Sequence, residues 1–278
     1  MSWRIGISSG SCADCPILDI LPALQASGAT GVELGTPPRH FDPWQDHQVT
    51  AVAEFLNRTS LQAVSIHAPF GGMLDLADAN PHHRHAAIGA ILTAGHAIKR
   101  LGGQLVVVHP SDLERNGQDI GARLADAARS LTILSENCRL TGLTLVIETP
   151  LPHLIGGLPD EFAWILAHVD PSARVCLDTG HTALGRSWHQ FLKVAGPRLV
   201  HVHASDNRGH WDDHLPPGEG TIDWGDIVRS LEAAEFTGWI MLELQRPRDD
   251  AAAYFRRAFE RATAVLAGAS TPRQGAAS

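Results

Sequence analysis

Acidic and histidine side chains follow short apolar segments at widely separated points of the 278-residue chain. If the fold buried them together, unpaired carboxylates would repel one another and raise one another's pKa. A divalent cation removes that repulsion, and imidazole nitrogens complete its coordination shell. We therefore expect the set to form a metal site, although a lone histidine in such a position is more often a packed core residue. The residues are His67, His109, Glu148, Asp178, His181, His203, Asp212, His214 and Glu243.

Eight short segments rich in β-branched residues predict the strands that would position these side chains. Their nearly continuous apolar character is typical of parallel strands covered on both faces. They span residues 3–8, 31–35, 63–67, 105–109, 144–148, 174–178, 199–203 and 239–244. Segments with helical periodicity follow them, at residues 17–26, 48–58, 85–101, 122–140, 159–168, 188–194, 224–234 and 251–267.

The alternation of eight strands with eight helices predicts an α/β fold, a single (β/α)8 TIM barrel. A doubly wound sheet is the alternative, but it would not usually need eight units, and no GxGxxG follows the first strand. We assign residues 1–267 to one catalytic barrel domain and residues 268–278 to a disordered C-terminal tail. Because the active site of a TIM barrel lies at the carboxyl ends of its strands, six of the eight strands would bring a His, Asp or Glu to the same level.

The overall composition argues against several classes of protein. The formal charge of −8, from 30 acidic and 22 basic residues, disfavours binding to nucleic acid through bulk charge. No segment approaches the ~18 apolar residues of a membrane span, and the N-terminus lacks the features of a signal peptide. We therefore expect a cytoplasmic protein with no membrane partner.

Lysine and cysteine usage narrow the chemistry further. Lys99 and Lys193 are the two lysines, and both lie in helical segments, which argues against a Schiff-base mechanism. The chain contains no GxxxxGK[ST] motif, so phosphate-loop enzymes are disfavoured. Cys12 and Cys15 have CxxC spacing without a second pair. We expect them to be reduced thiols, with a redox or metal-binding role as the alternative.

Several short motifs at the predicted strand ends resemble one known family. They are Ser65-Ile-His-Ala-Pro-Phe70, Val107-Val-His-Pro110, Ile147-Glu-Thr149, Leu177-Asp-Thr-Gly-His181, His203-Ala-Ser-Asp206, Asp212-Asp-His214 and Leu242-Glu-Leu244. Their order and spacing, over roughly residues 3–265, resemble the xylose isomerase-like TIM-barrel superfamily. That superfamily includes sugar and sugar phosphate isomerases and epimerases, and also endonuclease IV.

The resemblance implies a metal held by the residues Glu148, Asp178, His203 and Glu243. In the isomerase and epimerase branch this is one ion, Mn²⁺, Mg²⁺ or Co²⁺. The endonuclease branch has two more zinc ions, bound by the residues that match His67, His109, His181, Asp212 and His214. All nine positions carry the residue types of the three-zinc site. The number of ions therefore stays open.

A metal at these residues predicts proton transfer in a sugar, keto-sugar or polyol. The ion would act as a Lewis acid that stabilises the enediolate formed when a carbon next to a carbonyl loses its proton. Glu148 and Glu243 come from different strands, so one could remove the proton and the other return it, while His181 binds or polarises a substrate oxygen. Epimerisation, isomerisation and dehydration all begin with this step.

Four more residues are predicted to contact a small sugar-like substrate: Glu33, Arg208, Trp211 and Arg246. Residues 207–220 form a long loop, which we interpret as a lid over the substrate. The preceding Asp206 would orient His203 or a neighbouring loop. Analogy with the family also allows a homo-oligomer.

The alternative function is that of a three-zinc phosphodiesterase similar to endonuclease IV. The nine residues allow it, but the negative charge, the two lysines and the single tyrosine, Tyr254, are unlike a DNA-binding surface. The loop after His67 also lacks a basic residue. We therefore expect a metal-dependent sugar isomerase or epimerase, and we do not expect nucleic acid as a partner.

Overall fold

Strands and helices alternate along the chain as the sequence predicts. The structure, a computed structural model, describes residues 3–248 and 250–268, so the predicted tail lies outside the described residues apart from Gly268. The strands are β1 (Arg4–Ser8), β2 (Gly31–Gly35), β3 (Gln62–His67), β4 (Leu105–Val108), β5 (Thr144–Glu148), β6 (Arg174–Asp178), β7 (Leu199–Ala204) and β8 (Trp239–Leu242). The helices are α1 (Ile17–Ala26), α2 (Asp46–Leu56), α3 (Pro81–Arg100), α4 (Ile120–Leu140), α5 (Pro159–His168), α6 (Thr179–Leu184), α7 (Trp188–Ala195), α8 (Trp224–Ala233) and α9 (Ala251–Leu266).

The eight strands form a closed parallel barrel in chain order, with β8 paired to β1. This confirms the predicted single (β/α)8 barrel. Side chains alternate along each strand, so every second residue points into the barrel. Outward residues such as Val106 and Ile240 pack in the main core with the helices. The residues Val107, Val146 and Cys176 form a separate small apolar cluster, which these alternate positions place inside the barrel.

Two strands end earlier than predicted. β4 ends at Val108 and β8 ends at Leu242. His109 therefore follows its strand directly instead of terminating it, and Glu243 follows its strand instead of lying within it. Both side chains still lie at the carboxyl end of the barrel. Among the residues described, no helix has the length and apolar character that a membrane span requires.

Helix α6 is an element that the sequence pattern did not predict. It has six residues, fewer than two turns, and is too short to show helical periodicity. Its start is fixed by Asp178, whose side chain accepts a hydrogen bond from the backbone N–H of His181 at 2.6 Å. Such an N-terminal cap satisfies one of the free donors at the start of a helix. The cap therefore uses one Asp178 oxygen and leaves the other available.

The four cysteine thiols are free. Burial raises the pKa of the Cys12 thiol to about 11, with a further contribution from Cys15, so Cys12 is protonated at neutral pH. A protonated thiol is a poor nucleophile and a poor metal ligand. This favours the interpretation of the pair as reduced thiols.

Asp206, directly after β7, ties down the long loop that follows the strand. Its fully buried carboxylate accepts hydrogen bonds from the backbone N–H groups of Gly218 and Ile222 and from the indole N–H of Trp224, at 2.9, 3.1 and 2.9 Å. Two backbone hydrogen bonds also join Asp206 to Leu215. Of the two roles predicted for Asp206, its contacts are those of a residue that orients the loop.

Replacing Asp206 by alanine is expected to destabilise the fold strongly. The change leaves several buried N–H donors without an acceptor, and each costs about 1–3 kcal/mol, so we expect the free energy of unfolding to fall by roughly 3 kcal/mol or more. Urea denaturation measures this. Glu54→Ala is the control, since Glu54 is exposed and forms an ion pair with the exposed Arg58, and its effect should stay within about 0.5 kcal/mol. A loss of less than about 1 kcal/mol for Asp206→Ala would contradict this account of the loop.

Candidate active site

Four side chains from four strands meet at the carboxyl end of the barrel. Glu148 and Asp178 end β5 and β6, His203 lies near the end of β7, and Glu243 follows β8. Each offers one ligand atom, and these atoms all lie within 4.8 Å of one another. The Nδ1 atom of His203 is 3.2 Å from Glu148 Oε1 and 3.6 Å from Glu243 Oε1. These are the four residues for which the sequence predicts a metal ion, and we call them the four-residue cluster.

The chemistry of the four-residue cluster fits a divalent cation. Among the described residues, the buried atoms Asp178 Oδ2 and His203 Nδ1 have no hydrogen-bond partner. Burial raises the pKa of the Asp178 carboxyl to about 6, and the nearby carboxylates of Asp212, Glu148 and Glu243 add to the effect. A cation would satisfy both free atoms and offset the repulsion. Three carboxylates and one imidazole suit Mn²⁺, Mg²⁺, Co²⁺ or Zn²⁺.

Glu33 lies beneath the four-residue cluster. It is fully buried, and its carboxylate oxygens are 3.1 Å from Nε2 of His203 and 3.2 Å from Nε2 of His201, while Ser65 donates a hydrogen bond at 2.7 Å. Burial raises the pKa of Glu33, but His203 and His201 outweigh burial and hold the pKa well below its usual value. Glu33 is therefore ionised and keeps the Nε2 proton on His203, so that Nδ1 faces the cluster.

This position differs from the substrate contact that the sequence predicted for Glu33, because the residue does not line the cavity above the cluster. His201 was missed by the sequence reasoning. The signal was present, since His201 and His203 are two residues apart on one strand and therefore point into the barrel on the same side.

A second group forms on the other oxygen of Glu148. Nε2 of His67 and Nε2 of His109 lie 3.1 and 3.3 Å from Glu148 Oε2. The Asp112 carboxylate lies 2.9 Å from His109 Nδ1, so both ring nitrogens of His109 face carboxylates. Burial lowers the pKa of His109, but Glu148 and Asp112 outweigh burial and raise the pKa to about 10. His67, His109 and Glu148 together could hold a second ion.

A third group forms around Asp212. Nε2 of His181 and Nε2 of His214 lie 3.2 and 2.9 Å from Asp212 Oδ2. The ring of His181 is fixed by a hydrogen bond of 2.9 Å from Nδ1–H to the carbonyl of Thr149. Gly180 permits this packing, because a Cβ atom there would lie 2.9 Å from Asp212 Oδ1. The structure thus brings all nine predicted residues together, in three adjacent groups.

Three predicted substrate contacts lie outside this region. Arg208, Trp211 and Arg246 are exposed, and none of them lines the cavity above the cluster. Arg246 donates a hydrogen bond to Asp14 at 2.7 Å, and Arg208 lies 3.8 Å from Asp213. Their contact with substrate stays a prediction.

The cavity above the four-residue cluster has a volume of about 980 Å³. His67, His109, Glu148, His181 and Glu243 are among its lining residues. No lysine or arginine of the described chain lines it. Its size and position are typical of a small-molecule site at the carboxyl face of a TIM barrel.

Glu33→Gln is expected to weaken binding of Mn²⁺ about 10- to 100-fold, because a residue that orients a metal-binding histidine typically contributes that much. Titration against a fluorescent chelator measures the dissociation constant, and circular dichroism checks that the variant folds. Glu136→Gln, on the exposed face of α4, is the matched control and should bind as the wild type does. Wild-type affinity in Glu33→Gln would exclude this role for Glu33.

Binding of Mn²⁺ is expected to release protons at neutral pH. Burial lowers the pKa of His203, but Cys176, Glu243 and Glu33 outweigh burial and hold it well above its usual value. The metal-free imidazole therefore carries a proton that an ion at Nδ1 must displace, and affinity should rise with pH. Calorimetry in two buffers of different ionisation enthalpy counts the protons. An affinity that does not change between about pH 6 and 8 would contradict the expectation.

The chain is similar to known proteins over most of the barrel. A family model described as "Xylose isomerase-like TIM barrel" matches residues 21–264. Among curated proteins, the chain is 26% identical over 230 residues to the uncharacterized protein MJ1311 of Methanocaldococcus jannaschii. The matched region covers 76% of this chain and 77% of that protein.

Solved structures share the same architecture. A D-tagatose 3-epimerase-like protein superposes with a TM-score of 0.82 at 20% identity, over 95% of this chain and 98% of that chain. The IOLI protein, whose crystal structure contains a zinc atom, superposes with a TM-score of 0.80 at 17% identity, over 96% and 99% of the two chains. At these identities the structural likeness establishes the fold alone. The family is established by the family model, which matches residues 21–264. The chain belongs to the xylose isomerase-like TIM barrel family.

Proposed function

We propose that this protein is a divalent-metal-dependent isomerase or epimerase of a sugar, keto-sugar or polyol. The observation that carries the proposal is the four-residue cluster of Glu148, Asp178, His203 and Glu243, which lies at the base of a cavity of small-molecule size. The likeness to a D-tagatose 3-epimerase-like protein supports a sugar as the substrate class.

The four residues of the cluster would hold one ion, Mn²⁺, Mg²⁺, Co²⁺ or Zn²⁺. When bound, the ion supplies Lewis-acid stabilisation of negative charge on the substrate oxygens. Glu33 holds the His203 ring in the orientation that presents Nδ1 to the cluster.

Glu148 and Glu243 are proposed as the two groups that move the proton. Burial raises the pKa of Glu148, but His203 and His109 outweigh burial and hold it well below its usual value, so the carboxylate is ionised and can accept a proton. Glu243 comes from β8, three strands away from β5, and so approaches the cavity from another direction. A substrate carbon between them could lose its proton to one carboxylate, which leaves a planar intermediate. Protonation of that intermediate on its opposite face, by the other residue in its carboxylic acid form, would then invert the configuration.

His181 is proposed to hold a substrate oxygen. Burial lowers the pKa of its imidazole, but Asp178 and Asp212 outweigh burial and raise it well above its usual value. The protonated ring donates through Nδ1 to the carbonyl of Thr149, and its Nε2–H lies 3.2 Å from Asp212 Oδ2. Since His181 lines the cavity, a substrate oxygen would share this donor with Asp212 or take its place. Such a donor stabilises charge that develops on a carbonyl oxygen during proton removal.

Solvent deuterium exchange tests this function. In D₂O with Mn²⁺, the wild type should introduce deuterium next to the carbonyl of at least one ketose in a panel that includes D-tagatose and L-ribulose, as measured by NMR. Chelator treatment should abolish the exchange, and added Mn²⁺ should restore it. Glu148→Gln and Glu243→Gln should each lower epimerisation at least about a hundredfold, since each loses a proton-transfer group.

Glu232→Gln, on the exposed face of α8, is the control for these variants and should react as the wild type does. Substantial turnover by either Glu148→Gln or Glu243→Gln would refute the two-base scheme. Loss of a hydroxyl from the labelled product, in place of a changed configuration, would instead identify a dehydratase.

A three-zinc phosphodiesterase is the second candidate. The two groups around Glu148 Oε2 and Asp212 Oδ2 favour it, because they provide ligands for two further ions. The described cavity lining has no lysine or arginine, which is unfavourable for gripping a phosphate backbone. Elemental analysis of protein purified without chelator separates the two functions. Three zinc ions per chain together with nicking of abasic DNA would overturn the isomerase proposal.

A further inference from the structure

The cavity above the four-residue cluster has an apolar wall that the proposed proton transfer does not use. Trp44, in the loop after β2, and Phe70, in the loop after β3, both line the cavity, although the two residues are 54% and 53% exposed. Large apolar side chains that are exposed in a cavity commonly mark a ligand site. Their position on the rim of a cavity indicates that a ligand covers them.

Phe70 connects the apolar wall to the two histidines beside Glu148. The ring of Phe70 lies 4.5 Å from the ring of His109 and 4.9 Å from that of His67, measured between centroids. Leu74, in the same loop as Phe70, and Leu154, in the loop after β5, also line the cavity. A molecule whose reacting end lies at the four-residue cluster can therefore place its other end against this wall.

The charge of the lining argues for a neutral group at that place. Among the described residues, the cavity lining contains six carboxylates and four histidines but no lysine or arginine, and the histidines already face carboxylates of the site. A phosphate or carboxylate on the substrate would therefore find no unpaired cationic side chain among the described lining residues. The six are Asp42, Asp112, Glu148, Asp212, Asp213 and Glu243.

The long loop after β7 does not supply the missing apolar cover. From residues 207–220, only Asp212, Asp213 and His214 line the cavity, and all three are polar. Asp206 ties the same loop to the barrel. The aromatic wall is thus left for a ligand to cover.

We propose that the substrate is a neutral sugar that carries an apolar substituent, an aryl or alkyl group, which packs against Trp44 and Phe70 while the sugar ring lies at the four-residue cluster. The assignment of the sugar end rests on the proposed function, whereas the apolar subsite rests on the wall itself. Burying an aromatic group on this wall should strengthen binding roughly ten- to a hundredfold over a methyl group.

Equilibrium binding of matched glycosides tests the proposal without requiring turnover. The probes are the methyl and phenyl β-glycosides of D-glucose, D-galactose and D-allose, titrated by calorimetry into protein loaded with Mn²⁺. For at least one sugar, the phenyl member should bind about tenfold or more tightly than the methyl member. Trp44→Ala and Phe70→Ala should each reduce that preference several-fold, and Trp44→Phe should largely retain it. Leu140→Ala, at an exposed apolar residue on the end of α4, is the control and should keep the full preference.

Three results would each overturn the apolar subsite. The first is equal binding of methyl and phenyl probes, and the second is that no phenyl probe binds at millimolar concentration. The third is a phenyl preference that stays unchanged in Trp44→Ala and Phe70→Ala. So would a dimer in sedimentation that Trp44→Ala and Phe70→Ala dissociate, because a second copy would then cover the wall. Phenyl preference without deuterium exchange would leave the subsite intact and count against the proposed function. Deuterium exchange of simple ketoses without a preference for the phenyl probes would support the proposed function and overturn the apolar subsite.

Discussion

Repulsion among buried carboxylates at the carboxyl end of the barrel is the constraint on which the rest of the site depends. Asp178 shows it most directly, with one oxygen capping α6 and the other unpaired among neighbouring carboxylates. Imidazoles from β7 and from the loops offset part of this charge, and Glu33 below them fixes the ring of His203. The nearby groups are therefore arranged as a shell that suits a divalent cation, and this arrangement is the basis of the chemistry proposed for the cavity.

The barrel provides the stability that lets the protein tolerate such a shell of buried charges. The apolar interior below the site and the helical layer outside it bury the strands, while the polar groups occupy a single level near their ends. The segment after β7 is held at that level by the contacts of Asp206, and Gly180, in α6, leaves room for Asp212. Stability comes mainly from the layers below, and the loops are free to vary in the substrate groups that they present.

The fold and the strand-end residues could be predicted from the sequence because both follow from periodicity. A residue at the end of a parallel strand has a known level and a known direction, so Glu148, Asp178 and His203 were predictable together once the barrel was. The same rule would have found His201. Loop side chains follow no period, and their directions depend on tertiary contacts such as the Asp206 hydrogen bonds. This is why the aromatic wall of Trp44 and Phe70 was missed, and why Arg208 and Arg246 lie away from the cavity.

Glu148 occupies an unusual place among these groups, because its two oxygens serve different neighbours. Oε1 faces His203, and Oε2 faces His67 and His109. A carboxylate with both oxygens bound to cations has lost the basicity that proton abstraction requires. Under the proposed function, an ion at the His67–His109 position would therefore be incompatible with Glu148 as a base. Occupancy of that position would then select between enolising chemistry and multi-metal hydrolysis on one scaffold.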